Sequence, residues 1–145
     1  MPKPIEGLRS PYEKVGGIHY FGRMLDKIRL HSEGKLPPDY IPNLGKGFDN
    51  QCLRFLRIEY QDLVEQTLKG GSDEELFEWA KSHGYSPNED EILVWNEFMR
   101  KLGWNDDATP ALQKQLIKSG FLNRTDIQTI FDYIDLDEGT KASDV

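Results

Sequence analysis

The residues best placed to do chemistry in this chain are Arg23, Asp26 and Lys27, within Gly16-Gly17-Ile18-His19-Tyr20-Phe21-Gly22-Arg23-Met24-Leu25-Asp26-Lys27-Ile28-Arg29. At about 100° per residue they share one helix face with His19 and Leu30, opposite the apolar face of Ile18, Phe21, Leu25 and Ile28. The i,i+3 spacing lets Asp26 orient the Arg23 guanidinium, and the i,i+4 spacing sets Lys27 beside it, so the two cations together can face a phosphate or carboxylate. Gly16-Gly17 stand just before this helix, where bare backbone amides can approach the same anion at the positive end of the dipole. Gly17, Arg23, Asp26 and Lys27 are therefore the candidate ligand-binding residues. A plainer alternative, a solvated face whose ion pair is worth about 0–1 kcal/mol, explains the same spacing.

No other pattern dictates a reaction. The chain has no Gly-x-Ser-x-Gly elbow and no phosphate loop, and Gly45-Lys46-Gly47 is too short to count as one. His19, His31 and His83 are too scattered to pair on a metal and are read as surface or half-buried side chains. Cys52 is the single cysteine, which excludes an internal disulfide and a multi-thiolate zinc site; its apolar neighbours mark it as a buried, inert thiol. The acidic end, Asp132, Asp135, Asp137 and Glu138, lacks the order of a calcium loop. Neither a metal nor a cofactor is expected, and no catalytic residue is identified. Trp79, Trp95 and Trp104 are read as core and not as a stacking platform for bases.

The elements that must position these residues are helices. Ser72 with Glu75 and Ser86 with Glu89 have capping-box spacing, Pro87 suits a first helical position, and Thr109-Pro110 and Thr125 with Gln128 repeat the start signal. Gly70, Gly84, Gly103 and Gly120 stand where helices stop. Apolar residues recur with helical period between those marks, which predicts helices over 18–33, 50–57, 60–69, 73–83, 87–102, 110–119 and 126–137. The predicted fold is all-α, a bundle-like array of about six or seven short helices. Residues 1–145 are read as one domain, with a core over 8–139 and flexible ends at 1–7 and 140–145. Leu36 to Phe48 holds three prolines and two glycines and is predicted to be a long loop, either a lid or a connector pinned by Tyr40, Ile41, Leu44 and Phe48.

Charge narrows the partners. The chain carries a net −7, which disfavours nucleic acid and anionic lipid, yet residues 1–36 hold seven Lys/Arg against four Asp/Glu. Acid on the last turn of the final helix opposes its dipole, so the first and last helices are expected to pack side by side and to pair through Arg23, Lys27 or Arg29. With two prolines, Glu6 and no apolar run in the first ten residues, a signal peptide is not expected, and a cytoplasmic protein is.

Leu8-Arg9-Ser10-Pro11, Gly16-Gly17-Ile18, Gly22-Arg23-Met24-Leu25-Asp26-Lys27, Glu91-Ile92-Leu93-Val94-Trp95-Asn96, Gly103-Trp104 and Asp126-Ile127-Gln128-Thr129-Ile130-Phe131-Asp132 together resemble a bacterial domain-of-unknown-function family, number five thousand and sixty-nine. The resemblance spans about Leu8 to Gly139. It implies one complete domain and adds weight to Arg23, Asp26 and Lys27, but it carries no activity, substrate or cofactor. Asn96 and Gln128 join them as polar residues set in apolar helix patterns, where satisfying buried backbone groups is their plain role. Three functions follow. The leading one is a non-enzymatic module that binds a small anionic ligand, or an acidic segment of a protein partner, at Arg23 and Lys27. The second is an enzyme with Asp26 as acid/base, and the third a structural protein-interaction domain.

Overall fold

A computed structural model describes residues 4–140. The double glycine does not open a helix. Residues Lys14–Val15 (β1) and Ile18–His19 (β2) pair antiparallel, and Gly16-Gly17 form the two-residue turn between them, with φ of 62° and 83°. Positive φ at both central positions is what a tight hairpin of this hand demands, and glycine supplies it without strain. Phe77 closes over that turn: a Cβ on Gly16 would lie 2.1 Å from its ring.

The chain then turns through Tyr20, at φ 82°, into α1 (Phe21–Ser32), three residues later than the sequence predicts. A 3-10 helix (Pro38–Asn43) follows, then α2 (Phe48–Leu56), α3 (Tyr60–Leu68), α4 (Asp73–His83), α5 (Glu89–Lys101), α6 (Thr109–Ser119) and α7 (Ile130–Glu138). The fold is mostly helical, and its one small sheet is the hairpin. Prolines exclude a regular α-helix from 36–48, but Pro38 starts a 3-10 helix, since proline needs no amide hydrogen there. That segment is a connector: Tyr40 and Leu44 pack against Leu8, Leu30 and Leu36 and Phe48 reaches the main core, whereas Ile41, expected to pin it too, is exposed.

Helix ends moved where a better cap lay nearby. Ser72 and Glu75 form the predicted capping box. In α5 the box is Asn88 with Glu91, two residues past Ser86, so Pro87 lies outside the helix. Thr129, not Thr125, caps α7 by accepting from the Asp132 amide, and Gln128 is left exposed before the helix. At α6 the cap position is Ala108, and the Thr109 hydroxyl instead donates to the Gly103 carbonyl.

Apolar faces of α1 to α5, the hairpin and α7 meet in one core built on Ile18, Phe21, Met24, Leu25, Leu56 and Phe131. Trp95 belongs to it, but Trp79 is only partly buried and Trp104 is exposed, the latter just beyond a helix stop where nothing covers it. Cys52 is fully buried, which pushes its thiol pKa up and leaves it inert, as its neighbours predict. Of the ends expected to be flexible, 1–3 and 141–145 lie outside the described residues, whereas Ile5 packs against the Leu8 cluster.

Candidate functional site

Nine of the twelve residues of α1 are buried, and Arg23, Asp26 and Lys27 are among them at 4%, 8% and 7% exposure. The polar face is therefore not solvated. Other elements cover it, and each charge on it meets an opposite charge from a distant part of the chain.

Arg23 forks onto Glu138 of α7 through Nη1 at 2.7 Å and Nη2 at 2.6 Å, and its Nη1 also donates to the Arg9 carbonyl. Tyr40 donates to the same carboxylate at 2.7 Å, which ties the 3-10 helix to this pair. Burial opposes the Arg23 charge, but the hydrogen bonds and charge of Glu138 outweigh it and hold the guanidinium above its ordinary pKa. The expected ion pair between first and last helices is thus present, but the two helices do not pack side by side, because the long Arg23 and Glu138 side chains bridge the gap. The body of α7 lies against α5 and α6, and Phe131 extends from it to stack on Tyr20.

Lys27 donates to Asp49 of α2 at 2.6 Å and to the Tyr20 hydroxyl at 3.0 Å. Tyr20 donates in turn to Asp49 at 2.7 Å, and the Gly45 amide fills the second carboxylate oxygen at 2.9 Å. Burial draws the Lys27 pKa down against the pull of Asp49.

Asp26 does not orient Arg23. Its partner is Arg9, which gives it the backbone amide, Nε at 2.7 Å and Nη2 at 2.9 Å. Arg9 and Arg29 then share Asp73 at the start of α4, at 2.8 and 2.9 Å. Burial works to raise the Asp73 pKa, but the two guanidiniums reverse this and leave it lowered. Arg9, Arg23, Lys27 and Arg29 thereby meet Asp26, Asp49, Asp73 and Glu138, four cations against four carboxylates. Such a set has no surplus charge to offer a ligand. It ties α1 to the N-terminal segment, α2, α4 and α7, and it leaves no buried side-chain polar atom without a partner among the described residues.

The sequence offers no sign of Asp49, Asp73 or Tyr40 as members, because none is a helical neighbour of the residue it pairs with. Gly17 contributes its carbonyl, not its amide: Asn96 on α5 donates to that oxygen at 2.8 Å and accepts the His19 amide at 2.9 Å. Asn96 thus satisfies buried backbone groups, as its setting predicts. Four surface cavities of about 330 to 590 Å³ are lined by residues other than Arg23, Asp26 and Lys27.

A model of a domain of unknown function (DUF5069) matches residues 5–140. The chain belongs to the DUF5069 family. No curated protein matches it. In this DUF5069 chain, no helix among the described residues is long and apolar enough to cross a membrane.

His19 is expected to give this chain a response to mild acid. It is 6% exposed, its Nδ1–H donates to the Tyr12 carbonyl at 2.6 Å, and burial lowers its pKa against that hydrogen bond. Between the lowered folded-state pKa and the unfolded value of about 6.5, the unfolded chain binds a proton that the folded chain does not. Stability should therefore fall as pH drops below about 6.5, with a slope of up to about 1.4 kcal/mol per pH unit from this residue. Urea unfolding of wild type and His19→Gln at pH 7.5 and at successively lower pH checks it, and an unchanged slope in the variant rejects the assignment.

Proposed function

We propose that this domain is a non-enzymatic protein-interaction module whose docking face is α5, and that the buried charges on α1 hold the scaffold beneath it. One observation carries the reading. Val94 and Phe98 stand 67% and 51% exposed one turn apart, and they border a groove of about 340 Å³ floored by Phe55 and Trp95. The two floor rings stack at 4.6 Å with an 11° interplanar angle, a firm platform for an inserted apolar side chain.

Charge selects the occupant. Asp90 and Glu91 form one lip of the groove, Glu89 precedes them, and the chain as a whole is net −7. A second copy would bring the same acid against itself. The fitting partner is an amphipathic protein segment that sets an apolar anchor on Phe55 and Trp95 and basic residues on the acidic lip. This replaces the acidic partner expected for Arg23 and Lys27, whose charges Glu138 and Asp49 already take up.

Fluorescence polarisation with a labelled Leu/Lys amphipathic helix and its scrambled counterpart tests the reading. Phe98→Glu should weaken binding of the patterned peptide at least about tenfold, since it removes the anchor contact and adds a buried charge. Ile117→Glu, on the exposed face of α6, should leave it unchanged. Equal binding of both peptides, or binding that survives Phe98→Glu, would reject the docking face. A dimer in light scattering that Phe98→Glu dissolves would assign the face to a second copy instead.

A further inference from the structure

The chain has seven arginines, and five of them form ion pairs with carboxylates: Arg9, Arg23, Arg29, Arg100 and Arg124. The other two, Arg54 and Arg57, form no ion pair among the described residues, although the charge of Arg57 helps to lower the Glu91 pKa, and both line one cavity of about 590 Å³ at the corner between α2 and α3. Both guanidiniums are exposed, and in a chain with 25 Asp and Glu they line the same cavity without an ion pair. The dipole of α2 favours Arg54 in its last turn, and Arg57 rests 4.1 Å from the centre of the Tyr85 ring. Neither contact uses up the hydrogen-bonding edge of a guanidinium.

The remaining polar lining is equally unengaged. The side chains of Asn50, Glu59 and Tyr60 make no hydrogen bond to another described residue. Burial, then the charge of Asp49, pushes the Tyr60 phenol up to about 12, so it remains a neutral donor. Its ring lies 3.0 Å from where a Cβ on Gly45 would stand, which fixes the ring against the 3-10 connector.

The geometry points to a binding site here for a small hydroxylated phosphomonoester, such as a sugar phosphate. Arg54 and Arg57 take the phosphate, because guanidinium donors match its geometry and charge. Asn50, Tyr60 and Glu59 take hydroxyl groups, and the Glu59 carboxylate repels a second anionic end, so the ligand carries charge at one end only. A cavity of this volume lies within the range that holds small organic ligands and exceeds what a bare anion fills. The site adjoins the α5 groove, since Tyr85 carries Arg57 on its ring and donates to Glu91 on the groove's lip, but its test uses a different probe and different variants.

Calorimetric titration of the full chain with glucose 6-phosphate, glucose and inorganic phosphate tests the site. Glucose 6-phosphate should bind most tightly, inorganic phosphate more weakly, and glucose not measurably. Arg54→Gln and Arg57→Gly should each weaken glucose 6-phosphate at least about tenfold. Arg57→Gly also guards against trivial unfolding, because Arg57 sits at φ 58° and ψ 47°, a conformation glycine adopts more readily than arginine does. Absence of glucose 6-phosphate binding to wild type would overturn the proposal. So would equal affinity for inorganic phosphate, or binding that survives the double variant with the fold intact by circular dichroism.

Discussion

Asp49→Ala is expected to destabilise the folded chain by about 3–5 kcal/mol, which for a domain of ordinary stability removes a large share of the total. Asp49 is fully buried, and its loss strands the Lys27 ammonium in a place with 7% exposure. Tyr20 and the Gly45 amide also lose their acceptor. The cost comes from leaving a charge buried and unpaired, not from the intrinsic worth of the pair, because desolvation offsets most of the attraction within it. The double variant Asp49→Leu, Lys27→Met should therefore recover most of the loss. Urea unfolding at pH 7 measures both. A loss under about 1 kcal/mol for Asp49→Ala, or a double variant as weak as the single, would remove Asp49 from its place as partner of Lys27.

Glu138→Ala should cost a similar amount, about 3–5 kcal/mol, since it leaves the buried Arg23 charge unpaired, its Nη2 and the Tyr40 hydroxyl without an acceptor, and its Nη1 with only the Arg9 carbonyl. Here the loss has a direction in space. Glu138 sits at the last turn of α7 and joins it to α1 and to the 3-10 connector, so amide exchange should rise in α7 and near Tyr40 before it rises in α1. Arg23→Ala should match Glu138→Ala in stability, because each removes one half of the same buried fork. On a solvated face the same change would move stability by no more than about 0.5 kcal/mol, so unfolding of Arg23→Ala alone decides between the two environments.

Sequence alone determined the helical elements and one of the principal charge pairings. Their causes are local: a serine or asparagine before a glutamate satisfies the first amides of α4 and α5, glycine ends a helix, and apolar side chains recur with the helical period. Where two caps competed, as Ser86 with Asn88 or Thr125 with Thr129, spacing could not choose between them, because packing of the following turn decides which oxygen meets the amide. The double glycine reads as the approach to a helix N-terminus, not as a hairpin. Four strand residues are too few to show alternation, and the ring of Phe77 that requires Gly16 lies 61 residues away.

Only the tertiary structure decided what the polar face of α1 is. Periodicity divides a helix into two faces and implies water beside the charged one, but that inference fails where a carboxylate from elsewhere neutralises each cation. The deciding separations are 22 residues from Lys27 to Asp49 and 115 from Arg23 to Glu138. Acid at the end of α7 did announce the second of these, because charge at the wrong end of a helix dipole needs a cation and the basic N-terminal segment is the nearest source. Nothing local announces the first. Asp49 reads as an ordinary first-turn acid of α2, and it becomes the floor of the Lys27 site only when α1, α2 and the 3-10 connector close around it and exclude the water that would otherwise solvate both charges.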